Sequence, residues 1–122
     1  MNYIDLGKNG ERAASEYLQK KGYHILEHNF RNGRAEIDLI AKLEGVLIFV
    51  EVKTRKTEFF GFPEEAVNYR KEMNIRKCSS AYMNTINHLG EIRFDIISII
   101  MDEALNVKSI FHIEDAFFPG IK

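Results

Sequence analysis

Two short segments carry the residues whose types and spacing suit chemistry: Glu36-Ile37-Asp38-Leu39-Ile40 and Phe49-Val50-Glu51-Val52-Lys53. Read as strands, their side chains alternate with a period of two. Ala35, Ile37, Leu39 and Ala41 then share one face of the first strand, with Glu36 and Asp38 on the other. In the second, Val46, Ile48, Val50 and Val52 point one way, and Leu47, Phe49, Glu51 and Lys53 the other. A two-residue hairpin turn at Glu44-Gly45 pairs Leu43 with Val46 and sets Asp38 opposite Glu51 and Glu36 opposite Lys53. Directly opposed Cβ atoms lie about 4.5–5.5 Å apart. Asp38 and Glu51 would then bind one Mg²⁺ or Mn²⁺, with water and a phosphate filling the other positions. Lys53, two residues on, would orient the attacking water or stabilise charge on the phosphate. The chemistry expected is metal-assisted hydrolysis of a phosphate ester. The alternative is a set of surface salt bridges, such as Glu36 with Lys53. Against it, acids are poor strand residues, Glu51 interrupts the apolar run from Val46 to Val52, and opposed acids repel unless a cation lies between them.

The elements that must position these groups are legible in outline. Asp5 is a candidate N-cap for a helix over 5–21, with Leu6, Gly10, Ala13, Ala14, Tyr17 and Leu18 as its apolar face and Gly22 after its end. Glu11 shares a stripe with Ala14 and Leu18, so it either faces the sheet and the site or is an acid favoured by the helix dipole. Residues 23–29 read as a strand, 31–34 as a turn, and 35–42 and 46–54 as the two strands above. A loop over 56–62 leads to helical character from Pro63 to Gly90, with a break near Asn68. Strands follow at 92–101 and 107–113, separated by a polar turn at 102–106. The order predicts an α/β fold, a mixed sheet flanked by helices.

At 122 residues the chain is expected to be a single domain over residues 1–122, with one core. Its 45% hydrophobic content and two prolines argue against disorder. One cysteine excludes an internal disulfide and a cysteine zinc site. No basic stretch followed by an apolar core opens the chain, and no apolar run approaches the roughly 18 residues of a membrane helix, so a soluble cytoplasmic protein is expected. The net charge of −1 is awkward for a phosphate binder, but it sums site acids that a metal would neutralise with basic clusters at Arg31-Arg34, Lys53-Arg55-Lys56, Arg70-Lys71 and Arg76-Lys77. His24 and His28 stand about 13 Å apart along a strand, too far to share a metal. His88 and His112 are isolated, Ser79 and Ser80 lack a nucleophile elbow, and no glycine-rich phosphate loop is present.

Gly10-Glu11, Ala14, Tyr17-Leu18, Gly22-Tyr23, Asn29-Phe30-Arg31, Glu36-Ile37-Asp38-Leu39-Ile40 and Phe49 to Arg55 together resemble the bacterial YraN-like family. Glu65-Ala66-Val67, Lys71, Ala81-Tyr82 and Arg93-Phe94-Asp95 extend the resemblance from about residue 6 to about residue 100. That family is placed in the PD-(D/E)xK nuclease superfamily, and the arrangement is similar to that of archaeal Holliday-junction resolvases. The resemblance implies a restriction-endonuclease-like fold with an αβββαβ core. It also implies Asp38 and Glu51 as metal ligands, Lys53 as the catalytic lysine, Glu11 as the helix glutamate completing the Mg²⁺ or Mn²⁺ site, and Glu36 as a further member of the signature. Ala35 stands where the family usually has glycine.

The reading is therefore a metal-dependent endonuclease acting on DNA, branched or structured forms included, with Arg31, Arg34, Arg55, Lys71 and Arg93 as candidate phosphate contacts and a homodimer as the assembly suited to cutting two strands. Two competing readings predict different behaviour. A non-catalytic nucleic-acid-binding module would bind in a salt-sensitive way without cleavage. A partner-binding scaffold would use Phe59, Phe60 and Phe62 as an apolar patch.

Overall fold

A computed structural model describes residues 3–56 and 69–116. The aromatics at 59–62 and the helix start expected at Pro63 lie outside those residues. Helix α1 spans Tyr3–Lys20, and three strands follow: β1 at His24–Asn32, β2 at Ala35–Leu43 and β3 at Val46–Lys56. Helix α2, Tyr69–Ile86, then leads to β4 at Ile92–Met101 and β5 at Val107–Ile113. The strands form one mixed sheet in chain order, antiparallel throughout except between β3 and β4, whose crossover contains α2.

Each helix covers one face. Leu6, Ala14 and Leu18 of α1 pack with Leu39, Ala41, Ile48, Val50, Ile97 and Ile99. Ile75, Cys78 and Tyr82 of α2 pack with Ile37, Ile40, Leu47, Phe49, Phe94 and Ile96. Strand β3 is buried on both faces, so it reads as an almost unbroken apolar run until Glu51. Gly10 lets α1 approach β3 closely, because a Cβ there would come within 2.7 Å of Thr54 Cβ.

The expected hairpin register is present where it is regular, from Leu43 opposite Val46 to Leu39 opposite Val50. Beyond Val50 it corrects the expectation: neither Asp38 with Glu51 nor Glu36 with Lys53 is a pair of the ladder. The reason is local. Asp38 Oδ2 accepts the Val52 N–H at 2.8 Å, replacing a strand-to-strand bond with a side chain and letting the strands part. Strict alternation along β2 also fails, since Ile37 joins the α2-side core while Leu39 and Ala41 join the α1-side core. Strand β1 is irregular at the same level: its pairing with β2 passes over Asn29, which has φ +53°. Strand β1 also runs on through Arg31 and Asn32, which narrows the expected four-residue turn to Gly33 and Arg34.

Candidate active site

Asp38 lies where β2 changes face, between pairs His28–Leu39 and Phe30–Ile37 of the β1–β2 ladder. From there it meets acids arriving from both sides of the sheet. Glu11 comes from α1 and Glu51 from the α2-facing side of β3, and each is in hydrogen-bonding contact with Asp38. The consequences are electrostatic. Burial, then the Asp38 charge, raises the pKa of Glu11 to about 7, with Glu36 adding a smaller push and a hydrogen bond from Asn29 opposing it. Burial and Asp38 also push Glu51 well above the ordinary carboxylate range, against the opposing effect of Lys71. Asp38 thus joins two carboxyls whose pKa values are both raised.

Asp38 and Glu51, but not Glu11, line a cavity of about 240 Å³ together with Arg34, Ala35, Glu36, Lys71, Asn74 and Ile75. Lys71 Nζ stands 3.2 Å from Glu51 Oε1, whose side chain is only 9% exposed. Glu36 is held on the rim by Arg31 at 3.5 Å. Lys53 follows Glu51 on the same strand, half-buried and level with Ser98 of β4, but it is not on the cavity wall. Arg55 is half-buried farther along β3, level with Ile100.

Among the described residues no three His, Cys, Asp or Glu side chains close around one point as a finished cation cage. The donor set nevertheless fits a hard divalent cation by chemistry. Three carboxyls crowd together, burial and mutual repulsion raise the pKa of two of them, and a cation drawing them inward would relieve that repulsion. Glu11, Asp38 and Glu51 are the residues that would hold it.

Sequence reasoning missed Asn29 and Asn74. A signal for Asn29 existed, because asparagine is among the few non-glycine residues that readily take positive φ. Its side chain bonds Glu11. Asn74 carries no such signal, since its place on the cavity wall depends on how α2 sits over the sheet.

Residues 10–99 match a family described as "Uncharacterised protein family UPF0102". The chain belongs to the UPF0102 family. A UPF0102 protein of Thermodesulfovibrio yellowstonii is 45% identical over 118 residues, covering 97% of this chain and all of its own. A UPF0102 protein of Alkaliphilus oremlandii is 46% identical over 116 residues, covering 92% and 97%. One from Caldicellulosiruptor bescii is 43% identical over 121 residues, covering 96% and 100%. The UPF0102 match takes in Glu11, Glu36, Asp38, Glu51, Lys53 and Lys71.

It also takes in Arg93 and Asp95, which in this UPF0102 chain belong to a second buried network. Arg93 grips Asp95 with two bonds of 2.9 and 2.8 Å and donates to Tyr23 Oη at 2.8 Å. It also pairs with Glu114 at 3.4 Å. In register it stands beside Ile48, three residues and about 10 Å short of Glu51. The structural ion pair, rather than the carboxylate cavity, is where Arg93 is found. His112, which looked isolated in sequence, bonds Asp95 at 2.7 Å and Tyr17 Oη at 3.2 Å. Burial alone would raise the Asp95 pKa, but hydrogen bonds from His112, Arg93 and the Asp115 N–H outweigh it and hold the carboxylate below its ordinary range.

Proposed function

We propose that this chain is a metal-dependent endonuclease with the restriction-endonuclease-like fold, hydrolysing phosphodiester bonds in DNA, branched or structured DNA included. The observation that carries this reading is the contact of Asp38 with the carboxyls of both Glu11 and Glu51, beside an open cavity that Asp38 and Glu51 line. A structural ion-pair network would place cations between acids; here two of the three acids sit against a third.

Bound Mg²⁺ or Mn²⁺ would activate water and stabilise charge on the phosphate. The chain's own residues divide the remaining work. Glu11, Asp38 and Glu51 supply oxygen donors from three different elements, so the site exists only in the folded chain. Arg34 on the cavity wall offers a forked donor set to a phosphate. Lys53, two residues past Glu51 on β3, would hold a proton near the attacking oxygen once its side chain turned toward the cavity. Arg31, Arg55 and Lys71 are the further cations near this end of the sheet, and two copies of the chain would present two such sites to a duplex.

The test is cleavage of linear duplex, single-stranded and four-way-junction DNA with Mg²⁺ or Mn²⁺. Asp38→Ala, Glu51→Ala and Lys53→Ala are each expected to lower the rate by more than about a hundredfold while circular dichroism stays native. Full activity in these variants would show the site to be elsewhere. One observation favours a second reading, a nucleic-acid-binding module without cleavage: Lys53 is not on the cavity wall. Salt-sensitive DNA binding by a chain that cuts none of the three substrates would select it.

A further inference from the structure

The two surfaces that meet at the cavity change character at the same level. On β3 the α2-facing residues run Leu47, Phe49, Glu51, so an apolar face ends in an acid. On α2 the residues facing the sheet are Tyr82, Cys78 and Ile75, spaced by four and three positions, and the next position of that stripe is Lys71. The apolar stripe therefore ends in a cation where the strand ends in an acid. The resulting ion pair is held at 3.2 Å against a carboxyl that is almost fully buried.

Resting on the metal-site reading above, we propose that Lys71 is an internal cation that competes with the divalent metal for Glu51. An ammonium is a compact positive charge that donates hydrogen bonds but ligates nothing. While it holds Glu51 Oε1, that oxygen is drawn toward α2 and away from a point shared with Glu11 and Asp38. This accounts for three carboxyls that crowd together without forming a closed cage. A metal drawing Glu51 inward would stand within a few ångströms of the ammonium and repel it. Metal entry and release of Lys71 from Glu51 are thus one event, and the protein resists metal until both happen.

The experiment is calorimetric titration of the full chain with Mn²⁺, comparing wild type, Lys71→Met and Lys77→Met. Lys77 is an exposed residue of the same helix and controls for the loss of one positive charge. Lys71→Met is expected to bind Mn²⁺ about tenfold more tightly than wild type, and Lys77→Met to match wild type. Equal or weaker binding by Lys71→Met, with wild type binding, would overturn this inference and leave the metal site standing. Absence of Mn²⁺ binding in both would overturn the two together. A readout on the wild-type chain removes any dependence on the variant's folding. Reductive methylation of the Lys71 amine, followed by mass spectrometry, is expected to speed up several-fold with Mn²⁺ relative to Lys77. An unchanged ratio would overturn the competition.

Discussion

At the scale of single residues, Asp38 has two jobs that pull against each other. It caps the Val52 N–H, which separates β2 from β3, and it carries the charge that raises two neighbouring glutamates. Asp38→Ala is therefore expected to lose about 1–2 kcal/mol from the unsatisfied N–H and to regain part of it from relieved repulsion, so thermal stability should move little. The raised glutamates fix a pH dependence with a definite sign. A carboxyl whose folded pKa lies above its unfolded value contributes stability that is fully present below about 4.5. That stability is lost as pH rises, by about 7 for Glu11 and higher still for Glu51. The metal-free chain should melt at lower temperature as pH rises through neutrality, and Glu51→Gln should flatten that slope in a series of melts. The types of Glu11, Asp38 and Glu51 announce this site in the sequence, because acids on apolar surfaces need a reason. The pairing partner of Glu51 does not show there. Lys71 lies twenty residues away and becomes relevant only once α2 is laid over the strand.

At the scale of elements, the hairpin register was legible because Glu44-Gly45 admits one turn geometry, with φ +49° and +85° at its two residues. The change of face at Asp38 was not, because a period of two assumes a strand without irregularities. The seat of α1 depends on a single absent methyl group. Gly10→Ala would drive Cβ into the Thr54 side chain and is expected to cost about 1–3 kcal/mol in chemical denaturation, with Glu11 displaced and metal affinity reduced. The other end of the same face is tied by Asp95. Arg93→Met leaves that fully buried carboxylate with His112 and the Asp115 N–H alone, and is expected to cost about 3–5 kcal/mol. The sign of its pH dependence is opposite to that of the glutamates. A depressed folded pKa contributes stability above the ordinary aspartate value and loses it as pH falls toward the folded one. The two sets together place the stability maximum of the metal-free chain in the mildly acidic range.

At the scale of the whole molecule, three layers meet at one open end of the sheet. α1 contributes Glu11, the sheet contributes Asp38 and Glu51, and α2 contributes Lys71. No helix among the described residues is long and apolar enough to cross a membrane. The order of elements foretold the mixed sheet, since a helix between two strands selects a parallel pair. The net charge of −1 follows in part from gathering acids at one site, and it predicts metal-assisted rather than unaided DNA binding. Affinity for duplex DNA is expected to be weak in chelator, to rise with Ca²⁺, and to fall steeply with salt in either condition, as a fluorescence anisotropy titration would show. The most direct test of the central claim, that Asp38 joins two glutamates into a cation site, is Mn²⁺ titration calorimetry at neutral pH in buffers of different ionisation enthalpy. Wild type should bind with release of about one proton or more as Glu11 and Glu51 surrender theirs, and Asp38→Asn should not bind. Equal affinity and equal proton release in Asp38→Asn would contradict the claim.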